Sequence, residues 1–269
     1  MKIGFIGSGK MALALAQGIV RQNVATPSDL LITSPNDGSQ DVFLSKFPPN
    51  TVHWTSDNAE VARAADLILI AVKPQVINDV LPQLRAASAN KLVVSIAAGI
   101  SLTKLESALD KRARVVRCMP NTPVLVGAGA CAYALGRNAT PQDDALVMKL
   151  LSAGGFASRV EEKQINAVTA TSGSGPAYVF YFIEAMITAG IKQGLSKELA
   201  RELAIQTTIG SALMVRETKL EPSALADAVK SPKGTTIAAC EILETEQWRE
   251  ILVKAIAAAK KRADELGAA

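Results

Sequence analysis

Residues 4 to 11 read GFIGSGKM, and their glycine spacing admits two chemistries. Gly4, four residues, then Gly9 and Lys10 make most of a phosphate loop, whereas Gly7-x-Gly9-x-x-Ala12 makes a dinucleotide turn. A phosphate loop needs Ser or Thr directly after the lysine, because that hydroxyl holds the magnesium that bridges the terminal phosphates. Met11 stands there instead, and a thioether is a poor ligand for a hard cation. The dinucleotide reading asks for a strand ending at the first glycine, a helix opening after the second and a small third residue. Ile3 to Ile6, Gly7, Gly9 and Ala12 meet all three demands, so a pyrophosphate would rest on N–H groups where the helix begins. At the end of the next strand an acidic residue would bind a ribose 2′-hydroxyl and repel a 2′-phosphate. The chain has Thr33-Ser34-Pro35-Asn36, donors that suit the phosphate of NADPH, while the missing arginine and nearby Asp37 keep NADH open.

Other residues suggest a second ligand. Ser231-Pro232-Lys233-Gly234-Thr235-Thr236, followed by IAACEILE, reads as a turn feeding a helix. Free N–H groups at Gly234, Thr235 and Thr236 can take a carboxylate, or Ser231 and the threonines merely cap the helix. Lys73-Pro74 ends a strand at the edge where open α/β sheets bind ligands, or is only a strand stop. Gly173, Gly175 and Pro176 read as a breaker between helices, and Glu162 as the start of one. His53 is the only histidine, which makes a Ser-His-Asp triad or a multi-histidine metal site hard to build. Cys118, Cys131 and Cys240 are far apart and never in a C-x-x-C pair, so no disulfide framework or zinc site is suggested, and all three read as small buried residues.

The elements that must carry these groups fall into two textures. KIGFIG, KMALALAQGIVRQ, DLLIT, DLILIAV, QVINDVLPQLRAA and KLVVSIA alternate strand-like and helix-like segments, as strand-helix-strand units around a parallel sheet do. Leu67 to Val72 and Leu92 to Ile96 are apolar at every position, the pattern of strands covered on both faces. ARVVRCM and GACAYAL continue the strands, then a helix is expected from about Thr140 to Ser152 and a last strand near Ser158 to Val160. After Glu161 the chain reads as all helical, and Val179 to Ile191, apolar nearly all round apart from Glu184, suits a bundle core or a subunit interface. The expected fold is α/β: a Rossmann-type doubly wound, mostly parallel sheet over residues 1–160, followed by an all-helical domain over 161–269.

Composition narrows the partners. Apolar residues are 49% of the 269, yet the longest uncharged stretches are broken by Pro120, Pro123, Gly127, Gly129 and the Ser172–Pro176 segment, so no membrane span is expected. The N-terminus has no signal-peptide pattern, and a cytoplasmic location is expected. The net charge of +4 is spread along the chain, with Lys260-Lys261-Arg262 its only dense basic cluster, which argues against nucleic acid.

Five further stretches combine with the glycine turn: AVKPQ (71–75), SIAAGI (95–100), RCMPNTP (117–123), SGSGPAY (172–178) and SPKGTT (231–236). In this order they resemble the Δ1-pyrroline-5-carboxylate reductase family, from Lys2 to about Glu244. The resemblance implies a Rossmann-type domain and a helical dimerisation domain, with subunits interlocked as homodimers and often assembled into decamers. It implies NADPH, or NADH, around Ile6, Gly7, Ser8, Gly9, Lys10, Met11, Ser34, Asn58, Ala71, Val72, Lys73, Pro74, Ala97 and Ala98. The small-molecule substrate 1-pyrroline-5-carboxylate is implied beside Ser174, Gly175, Pro176, Gly234, Thr235 and Thr236, with Thr236, Ser231 and Glu162 as the catalytic groups. In that picture the Thr236 hydroxyl bonds the ring nitrogen, and Gly173, Gly175 and Pro176 form a rigid wall beside the ring. Two departures stand out: members commonly have glycine where this chain has Lys233, and some have an asparagine near the cofactor where it has Ala228.

Overall fold

The computed structural model describes residues 1–35 and 38–268, with Ala268 as backbone only. Asn36 and Asp37, part of the cofactor-selectivity reading, lie outside the described residues. The first strands are four-residue apolar segments: β1 (Ile3–Ile6), β2 (Leu30–Thr33), β4 (Leu67–Ile70) and β5 (Leu92–Ser95), with the short β3 (His53–Thr55) between the second and fourth. Every residue of the four longer strands is buried, which is why their sequences carry no alternation. β6 (Arg114–Met119), β7 (Gly129–Leu135) and β8 (Gly155–Arg159) complete one sheet in the order β3-β2-β1-β4-β5-β6-β7-β8. All neighbours are parallel except β6 and β7, where Cys118 faces Tyr133 across an antiparallel ladder.

Helices α1 (Lys10–Arg21), α2 (Ser39–Leu44), α3 (Asn58–Ala64), α4 (Ile77–Leu84), α5 (Leu102–Ala108) and α6 (Pro141–Ser152) connect the strands. α1 and α6 bury Leu13, Leu15, Ile19, Val147 and Leu150 in one core with Ile3, Phe5 and Leu69. α3, α4 and α5 bury Val61, Ile77, Leu81, Leu84 and Leu105 in a second core with Ile6, Ile68 and Val93. The two cores lie on opposite faces because successive strand residues point to opposite sides. At about 2 kcal/mol for each fully buried Leu or Ile, this double burial is the principal stabilising term of the sheet. α6 opens with a reciprocal cap: Thr140 and Asp143 satisfy each other's backbone N–H groups, and Pro141 sits where no helical donor is needed.

After β8 the chain continues in α7 (Ile165–Val168), a π-helical turn over Thr169–Gly173, then α8 (Gly175–Lys192), α9 (Lys197–Thr218), α10 (Pro222–Ala228), α11 (Thr235–Thr245) and α12 (Trp248–Ala268). Two compact units result: Met1–Ser174 with Ala259–Ala269, and Gly175–Ala258. Among the described residues no helix is long and apolar enough to cross a membrane.

Three local expectations are refined. The last strand begins at Gly155 rather than near Ser158. In the Ser172–Pro176 segment a π turn over Thr169–Gly173 ends, closed by the Ser174 N–H on the Thr169 carbonyl at 2.8 Å, and α8 begins at Gly175. Cys118 and Cys131 are buried, but Cys240 is partly exposed.

Candidate active site

The N-terminal unit brings its expected cofactor residues to one edge of the sheet. β2, β1, β4 and β5 are parallel neighbours, and their C-terminal ends carry Ser34, Gly7 to Met11, Ala71 to Pro74 and Ala97-Ala98 respectively. Backbone bonds continue the ladder past the strands: Gly7 N–H to the Thr33 carbonyl, Ala71 N–H to Ile6, and Ile96 N–H to Ile70, at 3.0, 2.8 and 3.0 Å. The loops are thus joined to one another before any ligand arrives, the pre-ordering that a binding edge requires.

Gly7 has φ +108°, and an added Cβ would stand 2.9 Å from the Ala71 carbonyl oxygen, so both the turn and the contact demand glycine. Gly9 differs: its φ is an ordinary −68°, and an added Cβ would meet nothing within 4 Å. That open space lies at the N-cap of α1, a twelve-residue helix with no side-chain cap and no acidic residue in its first turn. Uncapped N–H groups at the positive end of a helix dipole, under a backbone with no side chain in the way, fit the pyrophosphate of a dinucleotide. Ala12 is fully buried at the third position and lets α1 lie close on the sheet.

Beside this turn stand several hydroxyl and amide groups. Ser8 Oγ lies 3.2 Å from Ser39 Oγ, and Ser34 Oγ accepts from Trp54 Nε1 at 3.1 Å. The Thr33 hydroxyl donates to Asn58 Oδ1, whose amide in turn donates to Gln83 at 3.0 Å, so Asn58 is held with its orientation set at the start of α3. Lys10 and Lys73 are exposed at the same edge.

Glu162 occupies a place that sequence reading did not foresee. Its Oε1 accepts from the Leu102 N–H at 2.6 Å, at the start of α5, and from Arg117 Nη1 at 3.3 Å. Arg117 is buried on β6 and also donates to Asn166 Oδ1 at 2.8 Å, while Asn166 Nδ2 donates to Asp264 at 2.9 Å. Lys260, and then Asn166, hold the Asp264 carboxyl below its usual range. Asn166 and Asp264 carry no sequence signal, being single polar residues on otherwise ordinary elements, and Arg117 opens the quoted RCMPNTP stretch without showing this role there. In the same unit Leu266 packs on Gly99, directly after Ala97-Ala98: a Cβ added there would lie 3.3 Å from Leu266 Cβ.

The Ser231–Thr236 turn belongs to the other unit and is described by itself. The Gly234 N–H closes it on the Ser231 carbonyl at 2.8 Å, and a Cβ on Gly234 would collide with Ser231 Oγ. Gly234 is the N-cap of α11, Thr235 and Thr236 are its first two residues, and no side chain caps them. Lys233 has φ +60°, in the left-handed region that favours glycine. Ser174 ends the first unit at the close of the π turn, and Gly175 and Pro176 begin α8.

The fold and the glycine edge define a Rossmann-type dinucleotide-binding domain followed by a helical domain. Residues 2–99 match a family model described as "NADP oxidoreductase coenzyme F420-dependent", and residues 162–266 match "Pyrroline-5-carboxylate reductase dimerisation". A pyrroline-5-carboxylate reductase of Methanosarcina acetivorans is 41% identical over 99% of this chain and 98% of its own length. That of Arabidopsis thaliana is 43% identical over 98% and 95%. A crystal structure of the Plasmodium falciparum pyrroline carboxylate reductase with NADP bound superimposes with a TM-score of 0.90 at 35% identity, covering 99% of this chain and 98% of that one. The chain belongs to the pyrroline-5-carboxylate reductase family and is an NAD(P)-dependent oxidoreductase.

Proposed function

We propose that this chain reduces the C=N bond of 1-pyrroline-5-carboxylate to give L-proline, with NADPH preferred over NADH. The observation that carries the cofactor half is the open, uncapped start of α1 at Gly9, and family membership over nearly the whole length carries the substrate half. Bound at the edge formed by Gly7 to Met11, Ser34, Asn58, Ala71 to Pro74 and Ala97-Ala98, the nicotinamide supplies a hydride. The preference for the 2′-phosphate rests on Ser34, a neutral hydroxyl where an acidic residue would repel it.

The protein's own residues supply binding and orientation. N–H groups of Thr235 and Thr236 take the substrate carboxylate at the start of α11, whereas that of Gly234, expected to join them, is already given to the Ser231 carbonyl. The Thr236 hydroxyl bonds the ring nitrogen, Ser231 shapes the turn, and Ser174, Gly175 and Pro176 wall the ring. A protonated imine is already electrophilic, and its proton can come with the substrate or from water, so little acid-base machinery is required. Glu162, expected among the catalytic groups, has its carboxylate engaged by Leu102 and Arg117 and is assigned to holding the start of α5. Fixing the ring against the nicotinamide can contribute up to roughly 7–11 kcal/mol by orientation alone.

The helical half from residue 161 onward carries the substrate turn and the contacts between copies in a homodimer, a basis for larger rings such as decamers. Val179, Phe180, Tyr181 and Phe182 are 46, 61, 72 and 55% exposed, and four consecutive helical residues point to nearly all sides. A second copy of this chain is the cover that fits them, since exposed apolar patches mark interaction sites. Free cysteines suit a cytoplasmic location. The test is the rate of NADPH and, separately, NADH oxidation with pyrroline-5-carboxylate. Turnover with NADPH exceeding that with NADH supports the reading, and well-folded, cofactor-bound protein without turnover would sink it.

A further inference from the structure

We infer that Asn121 is a positioning residue for substrate reduction, acting through the π turn that leads into Ser174–Pro176. Asn121 is buried in the loop between β6 and β7, the one antiparallel reversal in the sheet. Both ends of its amide are used. Oδ1 accepts from the Ala130 N–H at 2.8 Å, on β7, and Nδ2 donates to the Ser172 carbonyl at 3.0 Å, inside the π turn.

A π turn interrupts the regular i→i−4 ladder of a helix, and such turns cluster at functional sites because the irregularity can be used to aim a neighbouring group. Here the irregular carbonyl is held by a side chain from the sheet. A neutral amide accepts at one atom and donates from another, so it can bridge two backbone groups that lie apart. An aspartate would keep the Ala130 bond but set an ionised oxygen against the Ser172 carbonyl. The Ser172 Oγ bond to the Val168 carbonyl at 3.0 Å steadies the turn from within, and Asn121 ties it to β7 through Ala130. Asn121 touches neither cofactor nor substrate in this scheme; it sets where Ser172 and the residues directly after it stand.

This inference rests on the proposed role of Ser174–Pro176 as the wall beside the substrate ring. Its test is Asn121→Asp in the full-length protein, read as kcat and KM for pyrroline-5-carboxylate, NADPH affinity and thermal midpoint. The expected result is a fall in kcat/KM of about tenfold or more at alkaline pH with NADPH affinity within about twofold, since small misplacements act on the reaction more than on binding of the other ligand. Lowering the pH should bring the variant back toward the native rate measured at the same pH, because a protonated carboxyl again donates to Ser172. Burial makes that protonation accessible in mildly acidic buffer. Asn121→Gln, which keeps donor and acceptor but lengthens the reach, should show the same kcat/KM loss without the pH recovery, and it serves if the aspartate variant does not fold. Either variant losing stability with kcat/KM unchanged, or an aspartate variant whose deficit ignores pH, overturns the inference. Native protein inactive on pyrroline-5-carboxylate would instead overturn the proposed function.

Discussion

Arg117 and Glu162 face each other at 3.3 Å, the first buried on β6 and the second opening the helical stretch that follows β8. The same carboxylate oxygen receives the Leu102 N–H, so one group closes the start of α5 and neutralises a guanidinium inside the protein. Glu162→Gln keeps an acceptor but removes the charge. We expect it to cost about 1–3 kcal/mol of stability, the scale of a hydrogen-bonded charge left without its counter-ion, discounted for partial exposure. Chemical denaturation measures that loss, and kcat should stay within a few-fold of native. A kcat collapse at unchanged stability would return Glu162 to the reaction itself.

Gly7 and Gly9 separate folding from binding. Gly9→Ala adds a methyl where the protein has open space, at an ordinary φ, so its thermal midpoint should stay close to native. Its NADPH affinity should fall by about tenfold or more, worth roughly 1.4 kcal/mol, because the methyl stands in the way of the pyrophosphate. Gly7→Ala should instead lose stability, since its Cβ would press on the Ala71 carbonyl at a φ of +108°. Equal behaviour of the two variants by fluorescence titration and thermal melting would refute the division.

This cofactor edge is the part most legible in the sequence, for a physical reason. Fully buried parallel strands are unbroken apolar runs, and the glycine turn must follow the first of them. β3 was harder, because its three residues His53 to Thr55 are partly exposed at the sheet edge and carry no such run. α2, α3 and α5 are six or seven residues long, too short for a periodicity to stand out. The glycines and proline of SGSGPAY speak for a break between helices, but not for the π turn that leads up to it. Arg117 and Asn121, both inside the quoted RCMPNTP stretch, act through bonds to distant parts of the chain that no spacing announces.

At the substrate turn, Thr236→Ala should lower turnover while leaving NADPH affinity nearly intact. A lost hydrogen bond to a ring nitrogen corresponds to about 1–2 kcal/mol, or roughly five- to thirtyfold in kcat/KM. Steady-state kinetics beside a cofactor titration reads both, and lost cofactor affinity with native kcat would show the hydroxyl to be misassigned.

The apolar girth of α8 gives an assembly prediction. Tyr181, 72% exposed in the single chain, is a position where a charge is harmless to a monomer and costly in a contact between copies. Tyr181→Asp should shift the mass measured by light scattering toward the single chain. Unchanged mass would mean the cover lies elsewhere.

Lys233 gives the last prediction. A lysine held at φ +60° carries roughly 1 kcal/mol of backbone strain that glycine would not. Lys233→Gly should raise the denaturation midpoint by a net few tenths of a kcal/mol, because glycine's freer unfolded chain offsets part of the relief. A lower midpoint would mean that the lysine side chain stabilises the turn more than its backbone strains it.

That strained turn also constrains how the gene can drift. Lysine codons cannot become glycine codons in one base change; the path runs through arginine or glutamate. Either intermediate keeps the Cβ in the left-handed conformation, and glutamate adds a negative charge beside the site proposed for a carboxylate. The relaxed turn is thus two base changes away with no relief at the first of them, whereas asparagine, the residue other than glycine that tolerates this conformation best, lies a single base away. Variation at position 233 among close descendants should therefore run to asparagine before it reaches glycine.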